Sequence, residues 1–226
     1  MKLKTLVTGL IATIACSAQA QNLLNNNSFE TPGPGFVLFQ DWINFGNVFG
    51  ADSGELLAQD GLISAKMFGA SNGAQSDQVL NQNVAATEGE QYTLSTYCQN
   101  LSTDPLGDEN IILIQMVFKD GGGNALETIE TNAIDPVNDA LDTWVYSELS
   151  GIAPVGTTNI DVFLLHIQLG ADQGFPTQGG GASFWDNLSL VAGDAPCTNP
   201  ADLNGDGVLN FFDVSAFIQA FNQGCP

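Results

Sequence analysis

Short segments rich in Val, Ile, Phe and Thr alternate with clusters of Gly, Asn, Asp and Pro along most of the 226-residue chain, and no other feature restricts its fold as much. Clear turn clusters occupy 31–35, 120–124 and 179–181. Between the turns, the sequence predicts strands at 35–40, 61–68, 78–84, 90–99, 110–119, 124–130, 142–150, 158–169 and 181–192. Many short strands punctuated in this way are typical of an all-β sandwich.

Two of these segments, 111–118 and 160–169, are apolar on both faces. That pattern predicts central strands that are covered on both sides. The only histidine, His166, lies inside the second segment, so we expect a core or sheet-face histidine rather than a member of a Ser–His–Asp site. Period-2 alternation places Cys98 on the same face as Tyr92 and Leu94, which predicts a buried, inert thiol.

The N-terminus has the three parts of a secretory signal peptide. Lys2 and Lys4 precede a short apolar run, and Ala18-Gln19-Ala20 forms a small-x-small cleavage site. The run is shorter than the roughly 20 residues that cross a bilayer, and no other segment is a candidate membrane span. We therefore expect 1–20 to be removed from a secreted or surface-associated protein, with lipidation of Cys16 as an alternative.

The charge of the chain excludes one class of partner. Its 25 acidic residues against 4 lysines give a formal net charge of −21, and arginine is absent. A nucleic-acid-binding protein needs a basic surface, so nucleic acid is excluded as a partner. A field this negative attracts divalent cations instead.

The segment 202–213 has the spacing of an EF-hand calcium loop. Oxygen-bearing side chains occupy its first, third and fifth positions, Gly207 occupies the sixth, and an aspartate occupies the twelfth. Calcium is a hard cation that takes about six to eight oxygen ligands. The predicted ligands are Asp202, Asn204, Asp206, the Val208 carbonyl, Asn210 and Asp213.

Apolar residues with helical spacing follow the loop and predict one amphipathic helix of about three turns. They are Val214, Phe217, Ile218 and Phe221.

A calcium loop with a single exiting helix resembles a dockerin repeat, and the bounding pair Cys197 and Cys225 resembles the GC-type dockerin tails of secreted bacterial proteins. The resemblance implies a calcium-binding module over 195–226 with a cohesin-like partner, and the two cysteines are the expected disulfide. The chain departs from ordinary dockerins because it has one repeat and carries Phe211 and Phe212 at partner-selecting positions. Another extracellular or cell-surface partner is therefore the alternative.

Three motifs bracket and mark the β region: NLLNNNSFE at 22–30, GEQYTLS at 89–95 and ASFWDNLSL at 182–190. Together they resemble the galactose-binding-like jelly roll, especially the carbohydrate-binding modules of families 4, 9 and 22. The resemblance implies a jelly-roll β-sandwich over 21–193 and a glycan ligand.

In the family that it resembles, the two ends of the domain lie together and often hold a structural calcium, which implies Glu30 and Asp186 as ligands here. A second argument concerns Asp186 alone. Alternation places it on a row with Phe184, Leu188 and Leu190, where a carboxylate is costly unless it is paired or metal-bound. The alternative is that both carboxylates lie at a solvated rim.

Aromatic residues in polar, Gly-rich loops are the candidate sugar-stacking groups. They are Trp42, Phe45, Phe49 and Phe175, and the alternative is that all four are core residues. The leading hypothesis is non-catalytic binding of a polysaccharide or other glycan. A structural or adhesion protein without a sugar site is the second hypothesis, and a polysaccharide-degrading enzyme is the third.

Overall fold

The computed structural model describes residues 21–35, 37–175, 180–193, 203 and 211–223. These contain ten strands, one 3₁₀ turn (Ala171–Gln173) and one helix, α1 (Phe211–Gln223). The strands are β1 (Ile43–Phe45), β2 (Val48–Ala51), β3 (Ser64–Phe68), β4 (Ser76–Ala85), β5 (Gln91–Asn100), β6 (Asn110–Lys119), β7 (Ala125–Ile134), β8 (Val145–Ile152), β9 (Asn159–Gln168) and β10 (Ala182–Gly193).

The strands form two antiparallel sheets that pack face to face. Sheet one has the order β1-β4-β9-β6-β7, and sheet two has the order β2-β3-β10-β5-β8. The eight strands from β3 to β10 therefore have the neighbours expected of two interlocked Greek keys, which is a jelly roll. The predicted all-β jelly-roll sandwich is confirmed.

Eight of the nine predicted strands match an observed strand to within a few residues. The strand predicted at 35–40 is wrong, because Pro and Gly turn the chain at 32–35 and the segment is the return arm of a short loop. An isolated bridge joins Pro32 to Phe39, and the Gln40 amide donates to the Thr31 carbonyl at 2.9 Å. The sequence pattern also did not predict β1 and β2, which are edge strands of only three and four residues.

The predicted central position of two apolar strands is confirmed, since β9 and β6 lie inside sheet one. The prediction that they are covered on both sides is wrong for the described part of the chain. Their inner side chains are buried, but Phe163 and Leu165 on the outer face of β9 are half-buried, and no described helix packs extensively against them.

Two predicted core residues are confirmed. Cys98 is fully buried, and burial raises the pKa of its thiol. His166 is also fully buried, and burial lowers the pKa of its imidazole to about 4, so the ring is neutral.

A chain of hydrogen bonds crosses the core through His166 and connects the two sheets. The Trp185 indole N–H donates to Ser183 Oγ at 2.8 Å, and Ser183 lies 2.9 Å from His166 Nδ1. On the other side of the ring, Nε2 lies 3.0 Å from Asn110 Oδ1, which can only accept. Nε2 therefore carries the proton, and Nδ1 accepts from the serine hydroxyl.

The prediction that Asp186 shares one face with Phe184, Leu188 and Leu190 is wrong, because β10 contains a β-bulge. The register with β5 shifts between Asp186 and Ser189, so Phe184 and the later leucines point to opposite sides of sheet two. Leu188 and Leu190 belong to the main core, whereas Phe184 packs in a smaller outer cluster with Leu56.

Helix α1 extends from Phe211 to Gln223, as the helical spacing predicts. None of the described helices has the length and apolar character needed to span a membrane.

Candidate functional site

Trp42, the first of the predicted sugar-stacking residues, is a core residue. It is 1% exposed, its ring centroid lies 5.4 Å from that of Phe29, and its indole N–H donates to the Asn26 carbonyl at 3.1 Å. Because Trp42 packs against Phe29 inside the main core cluster, it has no free face for a sugar. Its predicted role in stacking is wrong.

The other three predicted aromatics do not form one site. Phe45 is 66% exposed on the outer face of sheet one, and Phe49 is 49% exposed on the outer face of sheet two. Phe49 stacks on Phe68 with centroids 5.4 Å apart and rings inclined by 9°. Phe175 is half-buried in the loop that follows the 3₁₀ turn.

An aromatic and hydroxyl-rich surface that the sequence analysis missed lies on the outer face of sheet two, where β5 pairs with β8. In both strands the alternate residues point inward to the core, as Leu94 and Leu149 do. The outward residues face each other in register, and we call them the tyrosine face: Thr93, Ser95, Tyr97, Tyr146, Glu148 and Ser150.

The two tyrosines are direct cross-strand partners. Their ring centroids are 5.3 Å apart with an interplanar angle of 58°, and Tyr146 is 51% exposed. The Tyr146 hydroxyl donates to the Glu148 carboxylate at 2.6 Å. This hydrogen bond, more than burial, raises the pKa of Tyr146, so the phenol stays neutral.

Hydroxyl groups extend the tyrosine face along the same strand pair. Thr93 Oγ1 and Ser150 Oγ lie 2.7 Å apart, and Ser95 lies opposite Glu148. At the other end, Trp144 packs in the outer cluster beside sheet two and its indole N–H donates to the Leu57 carbonyl at 3.2 Å. The result is a sheet surface of aromatic rings, hydroxyls and one carboxylate, bounded at one end by Trp144 and the outer cluster.

The tyrosine face carries no positive charge. Within the described residues, both lysines are occupied elsewhere: Lys66 pairs with Glu55 and also lies over the rings of Phe68 and Phe184, and Lys119 pairs with Asp161.

The carboxylates of Glu30 and Asp186 are held by protein donors. Asp186 is fully buried and accepts hydrogen bonds from the Ser28 hydroxyl at 2.8 Å and from the amides of Gln59, Asp60 and Asn187 at 2.8, 2.9 and 2.7 Å. Burial raises the pKa of Asp186, and these four donors oppose that shift.

Glu30 is exposed and uses one carboxylate oxygen for the amides of Leu62 and Ile63, each at 2.7 Å. Among the described residues, no three or more His, Cys, Asp or Glu side chains converge as a metal site. Hydrogen bonds therefore satisfy the buried Asp186 carboxylate in the structure, and the shared calcium of Glu30 and Asp186 stays a prediction.

Most of the C-terminal calcium loop lies outside the described residues, as do Cys197, Cys225 and the predicted signal peptide. Asp213 is described, and it is buried although most of α1 around it is exposed. Its Oδ1 accepts a hydrogen bond from the Leu203 amide at 3.1 Å, which brings the twelfth loop position beside the second. The calcium site and the disulfide stay predictions.

His166, the only histidine, pairs with Ser183, and this pair is unsuited to nucleophilic catalysis. Ser183 and His166 are both fully buried, and the proton on the ring points to an asparagine rather than to a carboxylate. A substrate cannot reach the Ser183 hydroxyl without opening the sandwich.

No family model matches the sequence, and the search of curated proteins found no match. Solved structures do resemble the fold. The enzymatically active domain of bacteriophage CBA120 tailspike protein 4 matches with a TM-score of 0.52 and 15% identity, over 76% of this chain and 21% of that chain. This chain therefore spans about a fifth of the tailspike chain, and the likeness shows the jelly-roll fold.

Two carbohydrate-binding modules also resemble the chain. TmCBM61, solved with β-1,4-galactotriose, gives a TM-score of 0.48 at 18% identity, over 77% of this chain and 100% of that chain. The CBM22-1 xylan-binding domain of Paenibacillus barcinonensis Xyn10C gives 0.46 at 16% identity, over 78% and 97%.

Proposed function

We propose that the protein is a non-catalytic glycan-binding protein and that the tyrosine face is its binding site. The observation that carries the proposal is the cross-strand pair of half-buried Tyr97 and exposed Tyr146 on the outer face of sheet two, with hydroxyls and a carboxylate beside it. Aromatic rings present an apolar body and a polar edge, which suits the C–H faces and hydroxyls of a sugar. Glu148, Ser95 and Thr93 supply acceptors and donors for hydroxyl groups.

The charge distribution supports an uncharged glycan as the ligand. Acidic sugars are recognised by arginine or lysine, and both lysines of the described chain are paired with carboxylates outside the β5–β8 strand pair, Lys66 on β3 and Lys119 on β6. Glu148 and the net charge of −21 would repel a uronate or a sulfate ester. Because β8 is an edge strand of sheet two, the face is open along that side, which favours a chain over a single small sugar.

The ends of the chain support an extracellular role. The signal-like segment 1–20 directs secretion, and the module at 195–226 binds calcium and attaches the protein to a cohesin-like or surface partner. The Asp213 to Leu203 hydrogen bond supports the calcium loop, because it closes the two ends of the ligand run on each other. In this proposal Asp202, Asn204, Asp206 and Asp213 hold the ion by side-chain oxygens.

Affinity electrophoresis of the chain from residue 21 onward tests the glycan proposal. The gels contain neutral polysaccharides, with galactan and xylan included, or acidic ones, and each is run with calcium and with chelator. We expect retardation by at least one neutral glycan, equal under both conditions because the tyrosine face holds no metal ligand set. No retardation in any neutral gel would contradict the proposal and favour a structural or adhesion role.

A further inference from the structure

A second surface, on the opposite side of the sandwich, is apolar, and no described element packs extensively against it. The outer face of sheet one carries large apolar side chains on four neighbouring strands, and we call them the apolar face: Ile43, Phe45, Val79, Leu113, Phe163 and Leu165. Ile43 and Phe45 are 69% and 66% exposed, and the other four are half-buried.

The register makes this face continuous. Phe45 pairs with Val79, Val79 with Leu165, and Leu165 with Leu113, so one apolar row crosses β1, β4, β9 and β6. Three inter-strand spacings of about 4.8 Å give the row a length of about 14 Å. A contiguous apolar patch rimmed by polar residues marks an interaction surface.

Helix α1 carries the complementary surface. Its residues Phe211, Val214, Phe217, Ile218 and Phe221 are 74%, 50%, 56%, 49% and 74% exposed. At 100° per residue these five positions lie within an arc of about 120°, and they extend about 15 Å along the axis. The apolar stripe of α1 and the apolar face therefore have similar lengths.

We propose that α1 docks by its apolar stripe on the apolar face of its own chain. Because Leu203 is hydrogen-bonded to Asp213, the tether is the nine residues between Gly193 and Leu203, which span up to about 30 Å, about twice the length of the apolar row. Tethering on this scale gives the helix a millimolar effective concentration at the face.

Charge favours the chain's own helix over a second copy. The helix has one charged residue, Asp213, so it approaches the acidic sandwich with little repulsion. A second copy would bring a net charge of −21 against an equal charge. The apolar face also lacks the polar groups along its central row that a glycan would need. Docking leaves the tyrosine face free, because that face belongs to the other sheet.

Site-specific photo-crosslinking of the chain from residue 21 onward tests this docking. A benzoylphenylalanine replaces Phe45, the protein is irradiated, and the products are separated on a denaturing gel and mapped by peptide mass spectrometry. We expect a product of monomer size that joins position 45 to the segment 211–223. The same group in place of Tyr146, on the opposite face, should give no such product.

Two variants of α1 make the test specific for the stripe. The double substitution Phe217→Asp and Ile218→Asp should reduce the yield of the intrachain product at least fivefold. Gln219→Asp, outside the apolar stripe, should leave the yield unchanged, and circular dichroism checks that α1 forms in both variants. Crosslinked dimers as the main product would show that a second copy covers the face and would overturn the proposal. Absence of any product with α1 would overturn it equally.

Discussion

Lowering the pH from 7 to 5 should destabilise the fold through one side chain, His166. Its imidazole is buried and neutral, with a pKa of about 4 against 6.5 for a free histidine. Between these two values the unfolded chain binds a proton that the folded chain excludes, so stability falls as the pH falls. The linkage relation gives a loss of about 2 kcal/mol between pH 7 and pH 5, which levels off at about 3 kcal/mol below pH 4.

Urea unfolding of the wild type and of His166→Gln at pH 7, 6 and 5 measures this loss. Glutamine keeps one donor and one acceptor for Ser183 and Asn110 but does not titrate. The chain has no other histidine, and Glu109, the carboxylate bonded to Asn110, is present in both proteins. The stability advantage of the wild type should therefore shrink by about 2 kcal/mol from pH 7 to pH 5. Parallel pH dependences in the two proteins would refute the reasoning.

Three further predictions concern the fold. Asp186→Ala leaves four donors without their acceptor and should lower the free energy of unfolding by about 3 kcal/mol, whereas Asp172→Ala at an exposed turn should change it by less than about 0.5 kcal/mol. Gly46→Ala combines a φ of +76° with a Cβ placed 2.6 Å from the Asp77 carbonyl oxygen. It should therefore lower the free energy of unfolding, measured by chemical denaturation, by about 2 kcal/mol. Gly123→Ala has a φ of +81° with open space around it and should cost about 1 kcal/mol, so equal costs would contradict the steric argument. Cys98 should resist thiol reagents in buffer and react only in denaturant, and labelling of the native protein at Cys98 would contradict its burial.

The regular strands of the sandwich were predictable because the pattern of apolar residues in each strand is visible in its own sequence. Alternation in 91–98 and continuous apolar character in 160–169 depend only on neighbours in sequence, so β5 was predicted with its buried face and β9 was predicted as a central strand. The edge strands β1 and β2 are too short to show a period. Trp42 lies in a polar, Gly-rich stretch typical of a surface loop, and its burial depends on packing against Phe29 in the main core.

Part of the tyrosine face could have been predicted from the sequence. Alternation already separates Thr93, Ser95 and Tyr97 from the buried side of β5, and it gives Tyr146 and Glu148 a common side on β8. What the sequence lacks is the register that pairs Tyr97 with Tyr146, because more than 40 residues separate the two strands. The β10 bulge likewise depends on strand pairing, since one extra residue between Asp186 and Ser189 places Phe184 on the outer side of sheet two, where the smaller cluster buries it.

The measurement that tests the account most directly compares two single variants by affinity electrophoresis in the neutral glycan that retards the wild type. Tyr146→Ala removes half of the cross-strand tyrosine pair and should weaken binding by about 2 kcal/mol, or about thirtyfold. Phe45→Ala removes an exposed aromatic ring from the other sheet and should leave the affinity unchanged. Loss of retardation in Phe45→Ala with full retention in Tyr146→Ala would contradict the assignment of the tyrosine face.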